Sequence, residues 1–138
     1  MIVYCTGIKK GDQAHQKLLT NIIEFTEGLG HTVLTELSSK FNSTIPLTEN
    51  QTYKRNLKWI DGSKLVIAEI SNADVEIGIE IGYALFQRKV AVLALHISHA
   101  RKISSMLSGC DSPLLTIQKY DDVNEMQSII KTYLHKSG

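Results

Sequence analysis

The stretch "KLVIAEISNADVEIGIEIGYALFQRKVAVLAL", residues 64–95, decides the fold. Its two ends, "KLVIAEI" and "KVAVLAL", are short and nearly continuous apolar runs, the pattern of strands buried on both faces. A helix lies between them, so the order is strand, helix, strand. Such a βαβ unit joins parallel strands through a crossover helix.

Working outward, "MIVYCTG" reads as a first strand ending at Gly7. Asp12 then offers an N-cap for a helix with Leu18, Leu19, Ile22, Ile23 and Leu29 on one face, closed near Gly30. "HTVLTEL" is a second strand, followed by the polar "SSKFNSTIP", the longest irregular segment and the expected lid over residues 38–50. Thr48 to Gln51 forms a capping-box pattern for a helix that carries Leu57, Trp59 and Ile60 and ends near Gly62. Beyond the βαβ unit, Ser98 can cap a helix running through Ser108, and "LLTIQ" is a weaker fifth strand. Asp122 with Glu125 can box a last helix bearing Met126, Ile129, Ile130, Tyr133 and Leu134. Five strands alternating with five helices predict a single α/β domain over residues 1–138, a doubly wound parallel sheet.

Composition excludes several classes. Fifteen Lys and Arg against fourteen Asp and Glu give a formal net charge of +1, so nothing global draws the chain to a nucleic-acid polymer or an anionic membrane. No apolar run approaches the roughly 18 residues of a membrane span, and "MIVYCTG" lacks the features of a signal peptide. "NST" and "NQT" match the glycosylation pattern but carry no weight without an export signal. Two cysteines, Cys5 and Cys110, in a chain long enough to fold without staples suggest reduced thiols and a cytoplasmic setting.

Ligands of such sheets sit beyond the carboxyl ends of the strands at the topological switch point, which for the order 2-1-3-4-5 lies between the first and third strands. Two loops therefore matter: "TGIKKGD", with Gly7, Ile8, Lys9 and Lys10, and "SNADVEIG", with Asp74, Glu76 and Gly78. Glu80 follows about one turn into the helix, flanked by Gly78 and Gly82, which let a ligand or another helix come close. Glu76 and Glu80 share a helix face at i,i+4, a like-charge contact that costs roughly 0.2–0.5 kcal/mol and raises a carboxyl pKa. Acids at a helix start also favour the macrodipole and cap free amides, a role open to Asp74.

"DVEIGIEIGYALFQRK" resembles the signature of the nucleoside 2-deoxyribosyltransferases, in which an Asp precedes a Gly-x-Glu-Φ-Gly-Tyr-Ala helix. The related 2′-deoxynucleoside 5′-phosphate N-glycosidases are similar over more of the chain: "IVYCTG", "VLTEL", "NLKWIDGSKLVIAEIS" and "ISSMLSG" occur in the same order. The resemblance implies a flavodoxin-like sheet and a retaining double displacement without metal or redox cofactor. Glu80 would attack C1′ of a 2-deoxyribosyl group, expel the base and pass the sugar to a second base or to water. It implies Asp74 as a sugar contact or orienting group. Ser104 and Met106 would reach a neighbouring subunit's site, so the expected partners are a nucleoside or nucleotide and at least one further copy of the chain.

The sequence also departs from this pattern. Where the family carries an Asp that acts on the leaving base, this chain has Asn56, which hydrogen-bonds but supplies no proton. A first-helix Tyr of the N-glycosidases aligns with Leu19, with His15 the nearest polar aromatic. Asp74 and Glu76 stand where those enzymes hold a 5′-phosphate with Ser and Gly. Carboxylates there repel phosphate, and Lys9 and Lys10 can offset that repulsion, so the unphosphorylated deoxynucleoside is preferred and the monophosphate is the alternative. A nucleoside-binding protein without turnover, or a dimerising scaffold, is the reading from a different class. His96 and His99 lack a third metal ligand nearby, Trp59 reads as packing, and neither cysteine has an evident activating base.

Overall fold

A computed structural model describes residues 1–37, 46–100 and 102–137. In chain order the elements are β1 (Ile2–Thr6), α1 (Gln13–Gly28), β2 (Thr32–Leu34), α2 (Glu49–Asp61), β3 (Leu65–Glu69), α3 (Val75–Gly82), β4 (Ala91–Ile97), α4 (Ser105–Ser108), β5 (Leu115–Tyr120) and α5 (Val123–Ser137). The sheet is parallel throughout with strand order 2-1-3-4-5, the flavodoxin-like arrangement expected.

Alternation along the strands divides the core into two layers. Val3, Cys5, Leu65, Ile67, Leu93 and Leu95 face α1 and α5, where Leu19, Ile22, Met126 and Ile130 meet them. Tyr4, Val66, Ala68, Val92 and Ala94 point the other way, onto Ile60 of α2 and Ile77 and Ile81 of α3. Because β3 lies inside the sheet with helices on both faces, all five of its residues are buried, which accounts for the unbroken run "LVIAE".

Local signals set most element ends. Asp12 caps α1 through His15 N, and Thr48 and Gln51 complete a reciprocal capping box on α2. Asp122 accepts from Glu125 N at 2.8 Å, while the Glu125 carboxylate reaches back to Asp121 N, one residue earlier than the expected box.

Four expectations change. The second strand shrinks to three residues, because Thr35 Oγ1 accepts from Leu37 N and turns the chain away. Leu29 is exposed at the C-cap of α1 rather than on its buried face. Ser98 does not open a helix: its N–H bonds Tyr120 O at 2.8 Å and prolongs the pairing of β4 with β5, so α4 is a single turn capped by Ser104. The helix after β3 does not stay α-helical, since a π-helical turn, Tyr83–Gln87, follows α3. The expected lid falls mostly on residues 38–45, outside the described residues.

Candidate active site

The switch point between β1 and β3 is built as follows. Tyr4 and Thr6 project from β1 toward α2 and α3, and the first turns of α3 carry Glu80 back over them. Glu80 is 3% exposed, yet it lines a cavity of about 400 Å³. Thr6 Oγ1 donates to Glu80 Oε1 at 2.6 Å, and the Tyr4 hydroxyl donates to Oε2. Lys9 Nζ donates to Thr6 Oγ1 at 3.1 Å and pairs with Glu76 at 3.5 Å. Each carboxylate oxygen of Glu80 is thus fixed by a hydroxyl, with one cation just behind.

Burial pushes the Glu80 carboxyl above the ordinary glutamate range. The charge of Lys9 and the hydroxyls of Thr6 and Tyr4 pull it back down, and the neighbouring Glu76 adds to the rise. Tyr4 is shifted upward far more strongly, by burial first and by Glu80 second, so it stays a phenol and only donates.

The opposite wall comes from α2. Asn56 is 5% exposed and lines the cavity with Thr52, Tyr53 and Leu57. Its Nδ2 donates to Glu36 at 2.6 Å, and its Oδ1 accepts from Arg55 Nε at 3.1 Å. Arg55 also pairs with Glu36 at 2.9 Å and lies 4.6 Å over the Trp59 ring, which is half-buried and in turn 6.3 Å from the Tyr4 ring. Asp61 binds both Tyr83 (2.6 Å) and Arg88 (3.0 Å), tying the end of α2 to the π turn and setting the spacing of the two walls.

The candidate residues therefore separate. Glu80, Glu76 and Asn56 share the first cavity. Asp74, Gly78, Ser104 and Met106 line a second cavity of about 600 Å³ on the other side of α3, with Val75 common to both. Asp74 caps α3 by accepting from Ile77 N at 3.0 Å and does not meet Glu80. Gly7 is a packing position, where an added Cβ would lie 3.1 Å from Leu19 and 3.2 Å from Glu69 Cβ. Ile8 is partly buried and Lys10 exposed, and neither lines the cavity of Glu80.

The profile of the nucleoside 2-deoxyribosyltransferase family matches residues 3–114, a span that includes both cavity walls. The chain belongs to this family. A protein of Syntrophotalea carbinolica, inferred to be a 2′-deoxynucleoside 5′-phosphate N-hydrolase, is 26% identical over 137 residues, spanning 97% of this chain and 94% of its own. Two solved structures share the fold: a CMP N-glycosidase of Clostridium botulinum (TM-score 0.71, 17% identity, 96% of this chain and 99% of that one) and a 2-deoxyribosyltransferase of Bacillus psychrosaccharolyticus (TM-score 0.70, 16% identity, 92% and 90%). The protein is an enzyme of the nucleoside 2-deoxyribosyltransferase family.

Four residues of this candidate site escaped sequence reasoning: Tyr4, Thr6, Glu36 and Arg55. Tyr4 carried a usable signal, because a tyrosine inside an otherwise apolar buried strand must find a partner for its hydroxyl. Glu36 and Arg55 carried none, since twenty residues and a loop separate Glu36 from Asn56.

Proposed function

We propose that this enzyme cleaves the N-glycosidic bond of 2′-deoxynucleosides with Glu80 as nucleophile and passes the sugar to another base or to water. The observation that carries this reading is Glu80: buried, its carboxylate gripped by two hydroxyls, and lining a cavity of nucleoside-accommodating size. The Glu80 oxygen bonds to C1′, and the C1′–N pair leaves with the base. Water or a second base then attacks C1′ and frees the carboxylate. Thr6 and Tyr4 hold the attacking oxygens and reduce the reorganisation needed at the moment of attack. The free thiols of Cys5 and Cys110 fit a reducing, cytoplasmic setting.

The unphosphorylated substrate is favoured by charge. Asp74 occupies the N-terminus of α3, where a phosphate would otherwise accept the helix amides, and Glu76 already engages Lys9. The monophosphate is the second reading, supported by the near full-length likeness to the Syntrophotalea protein.

A second copy of the chain would cover the cavity on the far side of α3. Val75, Phe86 and Met106 expose 78%, 60% and 85% of their surface there, beside Ser104. Sedimentation at micromolar concentration is expected to show a dimer, and Met106→Glu is expected to shift it to monomer.

The test is incubation with deoxyinosine or deoxycytidine and with their monophosphates, with and without a second free base, followed by chromatography. Base release from wild type and none from Glu80→Ala supports the proposal. Exchange only with added base marks a transferase, and release from monophosphates alone selects the second reading. Binding without turnover of any of them makes this a nucleoside-binding protein and overturns the enzymatic reading.

A further inference from the structure

We propose, resting on the N-glycosidic chemistry above, that the cavity takes deoxynucleosides whose base already carries a positive charge, ring-N-alkylated purines being the plain case, and that Asn56 sets this choice. Arg55 can only donate and an ionised Glu36 can only accept, so their two hydrogen bonds fix which way the Asn56 amide points. Its Oδ1 is used by Arg55 and one N–H by Glu36. Among the described residues the other N–H has no acceptor, and Asn56 is buried at the cavity wall. The leaving base therefore meets a hydrogen-bond donor that has no proton to give.

A neutral purine leaves as an anion unless it is protonated, and general acid help of that kind contributes about 10²–10⁴-fold. A purine alkylated on a ring nitrogen needs none. The electron pair of the breaking C1′–N bond cancels the ring charge, the base departs neutral, and Glu80 closes the new bond to C1′. Water then displaces Glu80 and its proton passes to solvent.

The surroundings point the same way. Glu49, Glu76 and Glu80 line the cavity and Glu36 stands behind Asn56. Against these four carboxylates, the described residues set Lys9, engaged by Glu76, and Arg55, engaged by Glu36. A base that turns anionic as it leaves is repelled here, whereas a cationic one is attracted until the bond breaks. Tyr53, also lining the cavity and 57% exposed, offers a ring face to a flat cation.

The test compares 7-methyl-2′-deoxyguanosine with 2′-deoxyguanosine by chromatography of the released base, with spontaneous loss subtracted using Glu80→Ala. The expected kcat/KM ratio in wild type is about 10² or more in favour of the methylated nucleoside. Asn56→Asp, which supplies a proton donor, is expected to raise the parent nucleoside about 10²-fold and the methylated one far less, so that the gap closes. Glu49→Gln, which removes one carboxylate from the cavity wall, is expected to raise KM several-fold more for the methylated nucleoside than for the parent. Equal kcat/KM for the two in wild type, or an equal gain for both on Asn56→Asp, overturns this inference and leaves the proposed function standing. Release from neither nucleoside overturns this inference, and it overturns the proposed function as well only where deoxyinosine, deoxycytidine and their monophosphates also stay intact.

Discussion

Two glutamates at the switch-point end of the molecule invite comparison. Glu80 is 3% exposed and Glu69 2%, and each is bound by a tyrosine hydroxyl and a second hydroxyl: Tyr4 and Thr6 for Glu80, Tyr120 and Ser71 for Glu69. Burial raises the pKa of both. They differ in what lies in front of them. Glu80 opens onto the cavity between α2 and α3. Glu69 faces the α1 and α5 side and also accepts the N–H of Ser71 at 2.7 Å, and Ser71 Oγ accepts from Ile97 N at 2.9 Å. Glu69 is thus a knot that joins the carboxyl ends of β3, β4 and β5, whereas Glu80 is the proposed nucleophile. A perturbed carboxyl marks a site only when substrate can reach it.

The comparison is broken most directly by truncating each acid. Glu80→Ala is expected to reduce base release by about 10³-fold or more with the fold retained, as loss of a nucleophile does. Glu69→Ala is expected instead to cost about 2–4 kcal/mol of stability by orphaning Ser71 and Tyr120, which thermal unfolding would register. Loss of all activity in Glu69→Ala at full stability would erase the distinction.

A smaller effect sharpens the Glu80 side. Attack needs the carboxylate, so kcat/KM is expected to rise with pH through an inflection above the usual glutamate value of about 4.3. The Tyr4 hydroxyl favours the ionised form, so Tyr4→Phe is expected to move that inflection to higher pH and lower kcat about tenfold. An unmoved pH profile would reduce Tyr4 to packing.

The smallest effect concerns stability and pH. Both acids have folded-state values above their unfolded ones, so the stability they contribute is complete below about pH 4.5 and is lost as pH rises through the folded values. Glu80→Gln and Glu69→Gln each remove one such slope. At neutral pH each is expected to match or exceed the wild-type Tm by roughly 3 °C, with the difference vanishing near pH 4. A difference that grows toward acid would reverse the assignment.

By itself the hydrophobic pattern determined the βαβ unit and the parallel sheet, because two apolar runs around "DVEIGIEIGYALFQRK" admit no half-exposed sheet, and the family resemblance of that stretch implied the flavodoxin-like strand order. It also pointed to Glu80 and to the odd residue Asn56, since both sit inside local signatures. Where helix α4 begins was not legible, because Ser98 and Ser104 are equally good caps and the choice rests on pairing between Ser98 and Tyr120. Tertiary structure alone decided that Glu80 is gripped by Tyr4 and Thr6, that Asp74 turns to the other side of α3, and that Glu36 and Arg55 orient Asn56. The reason is physical: local pattern sets which face of an element is buried, whereas a site is made of contacts between residues 20 to 76 apart in the chain, and only packing brings those within 3 Å.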